Sequence, residues 1–594
     1  MSRTTARIAL GFIILVACLL AASTWRVYSN TWDEPEHLAA GIELLDKGRY
    51  EYDTEHPPIV RIFMALGPYL AGARSFGTPP PDGVLEGTDI LYTGGHYGLY
   101  LTLARLGTLP FLALLLYATW LWGRRTAVAP GEALLAVLLT ASVPPILGHA
   151  ALATLDVAAA ATVALALFAT QCWLSSRGWR EAVFCGLATG LAVGSKFSAV
   201  PFLVLGFGVL AVTHVVLWRW PRAEGGAAPK SSAAGPAPEL SAAAVAAGPA
   251  LEPSAAAVAA RPAPLRYLLR DIAIILVATL APLAFAYGIR SHVVSVAHRF
   301  DWAVVFLLHE RGLSHDAGAV LQHLWLPQWV QGLLEGVIAI KAHNDAGHLS
   351  FLLGQLRSTG WWYFYLVALA AKTPLPLLVL GPVGMVMLAR EGWQERDGWR
   401  IAPLTLFLTV LVFSSAFSHI NIGIRHVLVL YPFMAVGAAY WVVLLWRTLQ
   451  TASVRPLAIA GSGVLVVFVG WQVLTLWTAN PDYLPYFNEA IAHPEQVLVD
   501  SDLDWGQDLR RLEQRAAAIK IPKLNLAFLG TQDLTREPLP PYVIMAPGKP
   551  VTGWIAVSAL VRAHFPKGYA WLDAYPPIET IGKTIKLYYI PPLR

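Results

Sequence analysis

"IALGFIILVACLLAASTWRVYSNTWDEPEH", residues 8–37, joins an apolar run to a cluster of acids and a histidine within a few turns of chain. A helix needs about 20 apolar residues to cross the hydrocarbon core of a bilayer, so the run reads as a membrane span. Acids at a membrane exit are costly unless they meet water or are put to use. Asp33, Glu34, Glu36 and His37 therefore have to be accounted for by the rest of the chain.

The 594 residues are 56% hydrophobic and 14% charged, with a net charge of +5, and the mean hydropathy is +0.53. That composition belongs to polytopic membrane proteins. Arg outnumbers Lys, but no basic tract interleaved with aromatics is present to follow a nucleic-acid backbone, which excludes nucleic acid as a partner. Cys18, Cys172 and Cys185 lie inside apolar runs without metal-ligand spacing and read as lipid-facing or packed thiols. The basic start and apolar run at the N-terminus fit an uncleaved first span better than a signal peptide, because many spans follow.

Scanning for spans gives eleven, near 8–24, 103–122, 131–147, 151–172, 181–195, 198–217, 271–289, 362–389, 401–417, 427–446 and 457–477. With a cytoplasmic N-terminus, the arginine-bearing loops "GRRT" (123–126), "SSRGWR" (175–180), "AREGWQERDGWR" (389–400) and "WRTLQTASVR" (446–455) fall inside, as the positive-inside rule requires. The Ala/Pro/Gly/Ser stretch 222–264 reads as a disordered cytoplasmic linker. Outer loops at 25–102 and 290–361 then share the outer face with a tail, 479–594. The tail alternates apolar strands ("QVLVD", "LNLAFLG", "GWIAV", "TIKLYYI") with a helix in "GQDLRRLEQRAAAI", which predicts a small α/β domain. Residues 1–478 form the transmembrane domain on this reading.

Polar residues that do not suit a membrane gather on that outer side. The first loop carries "EYDTEHPPIVR" (51–61), with Asp53, Glu55, His56 and Arg61. His149 and Asp156 flank the turn before the fourth span. Lys196 follows the fifth, Lys372 lies beside Pro374 and Pro376 at a broken helix, and Arg425 and His426 begin the tenth. Thr31 and Glu34 fit a capping box with Pro35 in the first turn, and Asp33 then shares a face with Glu36 and His37 while Glu34 points elsewhere. Lone charges at span ends also serve as snorkelling anchors, but a carboxylate such as Asp156 in an Ala/Val run points to function. In "VDSDLDWGQD" (499–508) the alternating Asp500, Asp502 and Asp504 suggest a calcium loop. Trp505 stands where that loop needs glycine and Arg511 where it needs glutamate, so an N-cap by Asp504 with Gln507 fits better. No histidine spacing suits a metal.

"TWDEPEH" after a first span, "EHPPI" about twenty residues on, "LDVAAA" before the fourth span and "GSKFSAV" after it together resemble the lipid-carrier-dependent GT-C glycosyltransferases, in particular the protein O-mannosyltransferases and lipid A aminoarabinose transferases. "GWWYFYLVALAAKTPLP" and "GIRHVLVLYP" extend the likeness. The resemblance implies a catalytic carboxylate at Asp33 with Glu34 beside it, an HPP-type motif at Glu55, His56 and Pro57, and a functional acid at Asp156. The aminoarabinose branch has lysine where His56 stands, and the β-rich insert of eukaryotic O-mannosyltransferases is missing. A multi-pass protein of the bacterial inner membrane is implied.

The expected reaction moves a sugar from a polyprenyl-phosphate carrier to an acceptor hydroxyl on the outer face, with inversion and with Asp33 as general base. Lys196, Lys372 and Arg425 would meet the leaving phosphate, His56 would donate a proton or hydrogen bond, and Asp156 would orient substrate or raise the pKa of Asp33. The partners are the lipid-linked donor, a glycan, lipid or protein acceptor, and membrane lipids. No cofactor is assigned, and a divalent cation stays open. A ligase using a diphosphate-linked glycan and a secondary transporter are the alternatives. For the tail, acceptor recognition or covering of the cleft is expected.

Overall fold

The computed structural model describes residues 2–80, 82–127, 131–219, 265–288 and 328–592. The linker 222–264 and the first part of the outer loop 290–361, residues 290–327, lie outside them.

Among the described residues nine helices are long and apolar enough to cross a membrane: Arg3–Arg26, Tyr97–Thr126, Asp156–Ser176, Ala199–Leu217, Arg266–Gly288, Leu375–Glu395, Gly398–Phe417, Leu430–Gln450 and Arg455–Ala479. Glu132–Ala141 and Pro144–Ala150, bent by 64° at the Val143–Pro144 step, make a tenth if counted as one span. The remaining expected span, the fifth at 181–195, is the 15-residue helix Trp179–Val193, too short to qualify alone. The expected span 362–389 is divided into Phe364–Lys372 and Leu375–Glu395, because Pro374 has no N–H to continue a helix through Thr373.

Asp156–Ser176 is buried nearly all round. Its alanines let neighbouring helices approach closely, as small residues do in membrane bundles. Trp122 fills the space beside it, donating from its indole to the Ala164 carbonyl at 3.0 Å and packing edge-on against Phe168 and Phe433. Leu375–Glu395 and Leu430–Gln450 touch backbone to backbone: a Cβ on Gly384 would lie 2.0 Å from the Gly437 carbonyl oxygen.

The first loop is built rather than open, with helices Glu34–Lys47, Pro58–Leu70 and Gly83–Tyr92 around their own core of Leu38, Ile42, Val60, Met64 and Leu91. The hairpin β1 (Ser350–Leu352) and β2 (Gln355–Arg357) follows the helix Gln328–Ala346.

In the tail, β3 (Leu524–Ala527), β4 (Tyr542–Ile544), β5 (Gly553–Ser558), β6 (Glu579–Ile581) and β7 (Ile585–Ile590) form one sheet in the order β4-β3-β5-β7-β6. β3 runs parallel to β4 and β5, while β7 is antiparallel to β5 and β6. Side chains alternate across a strand, so Leu524, Leu526 and Ala556 pack on one face against Leu509 and Leu512, and Ile555, Val557 and Tyr588 on the other against Tyr569 and Leu572. "QVLVD" is not a strand. Its residues end the short helix Pro494–Val497, pass through Leu498 and Val499, which are buried in different clusters, and start the short helix Asp500–Leu503.

The tail is tied to the first loop by backbone bonds, Ser29 N–H to the Gln507 carbonyl at 2.9 Å and Trp32 N–H to the Trp505 carbonyl at 3.1 Å. Asn30 donates to Thr531 Oγ1 at 3.1 Å. These contacts fix the tail over the outer ends of the first-loop helices and close one wall of the site.

Candidate functional site

A cavity of about 1420 Å³ opens where the first loop, the helix ends and the tail converge. Of the residues singled out in the sequence, Asp33, Glu55, His56, Asp156, Lys196 and Arg425 line it; Glu34 and Lys372 do not.

The first-loop helix separates the two adjacent acids. Asp33 occupies the N-cap position but accepts no capping bond. Glu34 reaches back instead, accepting from the Thr31 N–H at 2.7 Å, from the Ala153 N–H at 2.8 Å and from Arg105 Nε at 2.8 Å. This buried arrangement makes Glu34 a structural residue that joins the first loop to the Tyr97–Thr126 helix. Asp33 is thereby left to face the cavity, with Glu36 and His37 one turn on along the same face.

The Asp33 carboxylate meets Arg425 Nη1 at 2.6 Å. Arg425 sits in the turn Ile424–Val427, its guanidinium stacked 4.3 Å from the ring centre of Trp505 and 3.7 Å from Asp156. Lys196 Nζ donates to Asp156 at 2.5 Å. Two cations and two carboxylates are thus interleaved, and among the described residues the buried Arg425 Nε–H meets no hydrogen-bond partner. A buried donor without an acceptor is costly, and an incoming anion would relieve it.

Beside them lies a second network. Arg61, fully buried, donates to Asp53, to Tyr50 Oη at 2.7 Å and to His37 Nδ1 at 3.0 Å. Asp53 also meets His56 Nδ1 at 2.9 Å. Although burial opposes it, the Arg61 guanidinium and His56 hold the Asp53 carboxyl well below the usual carboxylate range. Burial and Arg61 push His37 well below the ordinary histidine value, so that it is neutral. Glu55 pairs with His343 Nδ1 at 2.9 Å, and His343 lies 3.4 Å from His348. The stretch "EYDTEHPPIVR" therefore builds a wall in which Asp53, held by Arg61, presents His56 to the cavity.

Glu36 stands among these acids, and its carboxyl is pushed up to about 8, first by burial and then by Asp53. A carboxyl whose pKa is raised by folding favours the fold while protonated in both states; that contribution is complete below about pH 4.5 and is lost as pH rises toward about 8. The melting temperature of the wild type in detergent is therefore expected to fall between pH 5 and 8 more steeply than that of Glu36→Gln. Parallel curves would place the Glu36 charge in water.

Lys372, expected to face a phosphate, is buried outside the cavity. Its ammonium donates to the backbone carbonyls of Leu484, at 2.9 Å, and Asp502, and lies 4.4 Å from the ring centre of Phe487. The helix ends at Lys372, and the break at Thr373–Pro374 turns the side chain toward the tail. Lys372→Met leaves both carbonyls unsatisfied and is expected to cost about 1–3 kcal/mol of stability. Thermal melts would record it.

The tail supplies lining residues that the sequence did not single out as a site: Asp500, Trp505, Leu560 and His564. The one signal was the alternation of Asp500, Asp502 and Asp504. Asp504 does not cap the following helix. Its carboxylate accepts from the Leu560 N–H at 2.8 Å and the Gly506 N–H at 3.2 Å, while Gln507 takes the Trp505 N–H at 2.8 Å. The helix begins at Leu509, too far along for Asp504 to reach. Among the described residues no group of three or more metal-type side chains converges.

No protein-family model and no curated protein matches the sequence. Among solved structures, the chain is similar to ArnT from Cupriavidus metallidurans bound to undecaprenyl phosphate, with 12% identity, a TM-score of 0.43 and coverage of 99% of this chain and 98% of that one. It is similar to the S. cerevisiae protein O-mannosyltransferase Pmt1-Pmt2 complex bound to the sugar donor, with 9% identity, a TM-score of 0.46 and coverage of 81% and 90%. The Archaeoglobus fulgidus oligosaccharyltransferase tethered with an acceptor peptide gives 10% identity, a TM-score of 0.42 and coverage of 86% and 57%.

Proposed function

We propose that the chain is a membrane glycosyltransferase that moves a sugar from a polyprenyl-phosphate carrier to an acceptor hydroxyl. The observation that carries the reading is the composition of the cavity wall. Asp33 stands against Arg425 and near Lys196, and the same cavity is lined by Phe197, Phe202, Phe413 and Phe417. Such a wall suits a ligand with an anionic head and a long apolar chain. Nucleotide sugars are cytoplasmic, so a site facing outward needs a lipid to deliver the sugar. The reading takes the arginine-bearing loops as cytoplasmic, by the positive-inside rule, which puts the N-terminus inside and the tail outside a bacterial inner membrane.

In the reaction the acceptor oxygen forms a bond to the anomeric carbon as the bond from that carbon to the phosphate oxygen breaks. The acceptor proton passes to Asp33, and the lipid phosphate departs with one further negative charge. In the resting site Asp33 is engaged by Arg425. A donor phosphate, which a guanidinium can bind bidentately, enters at the unpartnered Arg425 Nε–H, competes with Asp33 for the guanidinium and frees the carboxylate to act as base. Lys196 adds a second cation at the leaving group, with Asp156 holding its ammonium. His56, fixed by Asp53, donates to the sugar or the phosphate. With one carboxylate at the point of attack and no covalent intermediate, the anomeric centre inverts.

The test is transfer of radiolabelled hexose from polyprenyl monophosphate in membrane vesicles containing the wild-type chain, against vesicles without it. Label in acceptor above background is the expected result. Transfer only from a diphosphate-linked glycan would replace the monophosphate reading with that of a ligase, and the absence of transfer from either donor would remove glycosyl transfer altogether.

A further inference from the structure

The tail brings a further carboxylate to the cavity in an unusual way. Asp500 has φ 41°, the left-handed region that residues other than glycine seldom adopt. Such a conformation persists only where the surroundings over-determine it, and it collects at functional sites. Here the surroundings do so from both sides. Ser501 Oγ donates to the Ile422 carbonyl, Asp502 Oδ1 accepts from the Ile424 N–H at 3.0 Å, and Lys372 holds the Asp502 carbonyl. On the other flank Val499 packs with Phe351 and Leu560. Asp500 is thus fixed to the same 422–425 segment that carries Arg425.

What this clamp presents is a carboxyl facing the cavity. One oxygen accepts from the Ser501 N–H at 2.6 Å, and among the described residues no other protein donor meets the group. Arg425 and Asp33 are the charged groups that act on it most strongly, and burial with Asp33 pushes it up to about 7. Near neutral pH it can therefore both give and take a hydrogen bond. Trp505, Leu560, His564 and Phe565, from the same tail, line the cavity with it, whereas Lys196, Arg425, Phe197, Phe202, Phe413 and Phe417 come from the helical bundle. The tail carries none of the groups assigned to the donor, which leaves it the other substrate.

We propose that Asp500 is an acceptor-binding residue: its carboxyl hydrogen-bonds a polar group of a hydroxyl-bearing acceptor and sets the attacking oxygen against Asp33, making the tail the specificity-determining part of the site. This rests on the transfer reading above.

Asp500→Asn and Asp500→Gly test it, because Asn and Gly tolerate a left-handed backbone better than most residues. A merely structural role of the turn survives both. The assay supplies polyprenyl-phosphate hexose as donor and a detergent-solubilised cell-envelope extract, titrated by mass, as acceptor. Asp500→Gly, which removes the carboxyl, is expected to raise the apparent KM for the extract by about tenfold, the scale of one lost hydrogen bond at a buried site, while Asp500→Asn, which can still give and take a hydrogen bond, raises it by less. Donor KM and melting temperature stay within about twofold and a few degrees of the wild type. An extract KM unchanged in Asp500→Gly would overturn the proposal and leave the transfer reading intact. A wild type that transfers from no lipid-linked donor would overturn both together, and the two failures are told apart by the wild-type rate.

Discussion

Asp33→Asn, compared with the wild type at matched protein level, is expected to lower hexose transfer by about 10² to 10⁴, the range attributed to a positioned general base. Asparagine keeps the shape and can still meet Arg425, which lies 2.6 Å from the native carboxylate, so the fold and the apolar end of the cavity are preserved. It cannot accept a proton as the new bond forms. Donor binding should be retained or strengthened, since Arg425 no longer has to leave an opposite charge to meet the phosphate. The assay separates these effects: a large fall in kcat with donor KM equal or lower marks a base, whereas a large rise in donor KM alone would assign Asp33 to holding Arg425. Equal transfer by both proteins would reduce Asp33 to the residue before a helix.

The second large effect lies one residue away and concerns stability. Arg105→Met should destabilise the protein by about 3–5 kcal/mol, because it leaves the Glu34 carboxylate buried without its charge partner. The pair is almost wholly enclosed, with side-chain exposures of 1% and 0%, and Arg105 also donates to the carbonyls of Tyr28 and Ser29. The loss would show as a lower survival temperature in detergent, followed by size-exclusion chromatography. Removing both charges, in Glu34→Gln with Arg105→Met, should recover part of it, since a paired replacement leaves no isolated ion. A double variant no better than the single one would mean that the carbonyl bonds of Arg105, rather than the ion pair, hold the first loop in place.

These two neighbours show what local reading can reach. Apolar runs and the break at Pro374 are local properties, and the spans follow from them. The separation of Asp33 from Glu34 is also local, because helix periodicity and a capping residue decide which acid turns inward. Lys372 was not legible in the same way. Its place at the end of a broken helix was, but its partners are carbonyls at Leu484 and Asp502, more than a hundred residues away. The same holds for Asp500, whose left-handed backbone is imposed by contacts with residues 422 to 424 and carries no glycine or asparagine to announce it. "QVLVD" failed for a related reason: its Leu498 and Val499 are buried in different clusters, set by neighbours that the segment itself does not specify.

The join between tail and first loop has a consequence for how the protein is made. Asn30 and Thr531 are 501 residues apart in sequence, and Ser29 and Arg510 are 481 apart. At about 5–20 residues per second of synthesis, the "TWDEPEH" helix waits roughly 25 to 100 s after leaving the ribosome before the segment that walls its cavity exists. During that interval the spans can insert one after another, but the site stays unfinished. A chain stalled or truncated before the tail would lie in the membrane without the groups that close the cavity, so assembly of the site doubles as a check that the whole protein has been translated.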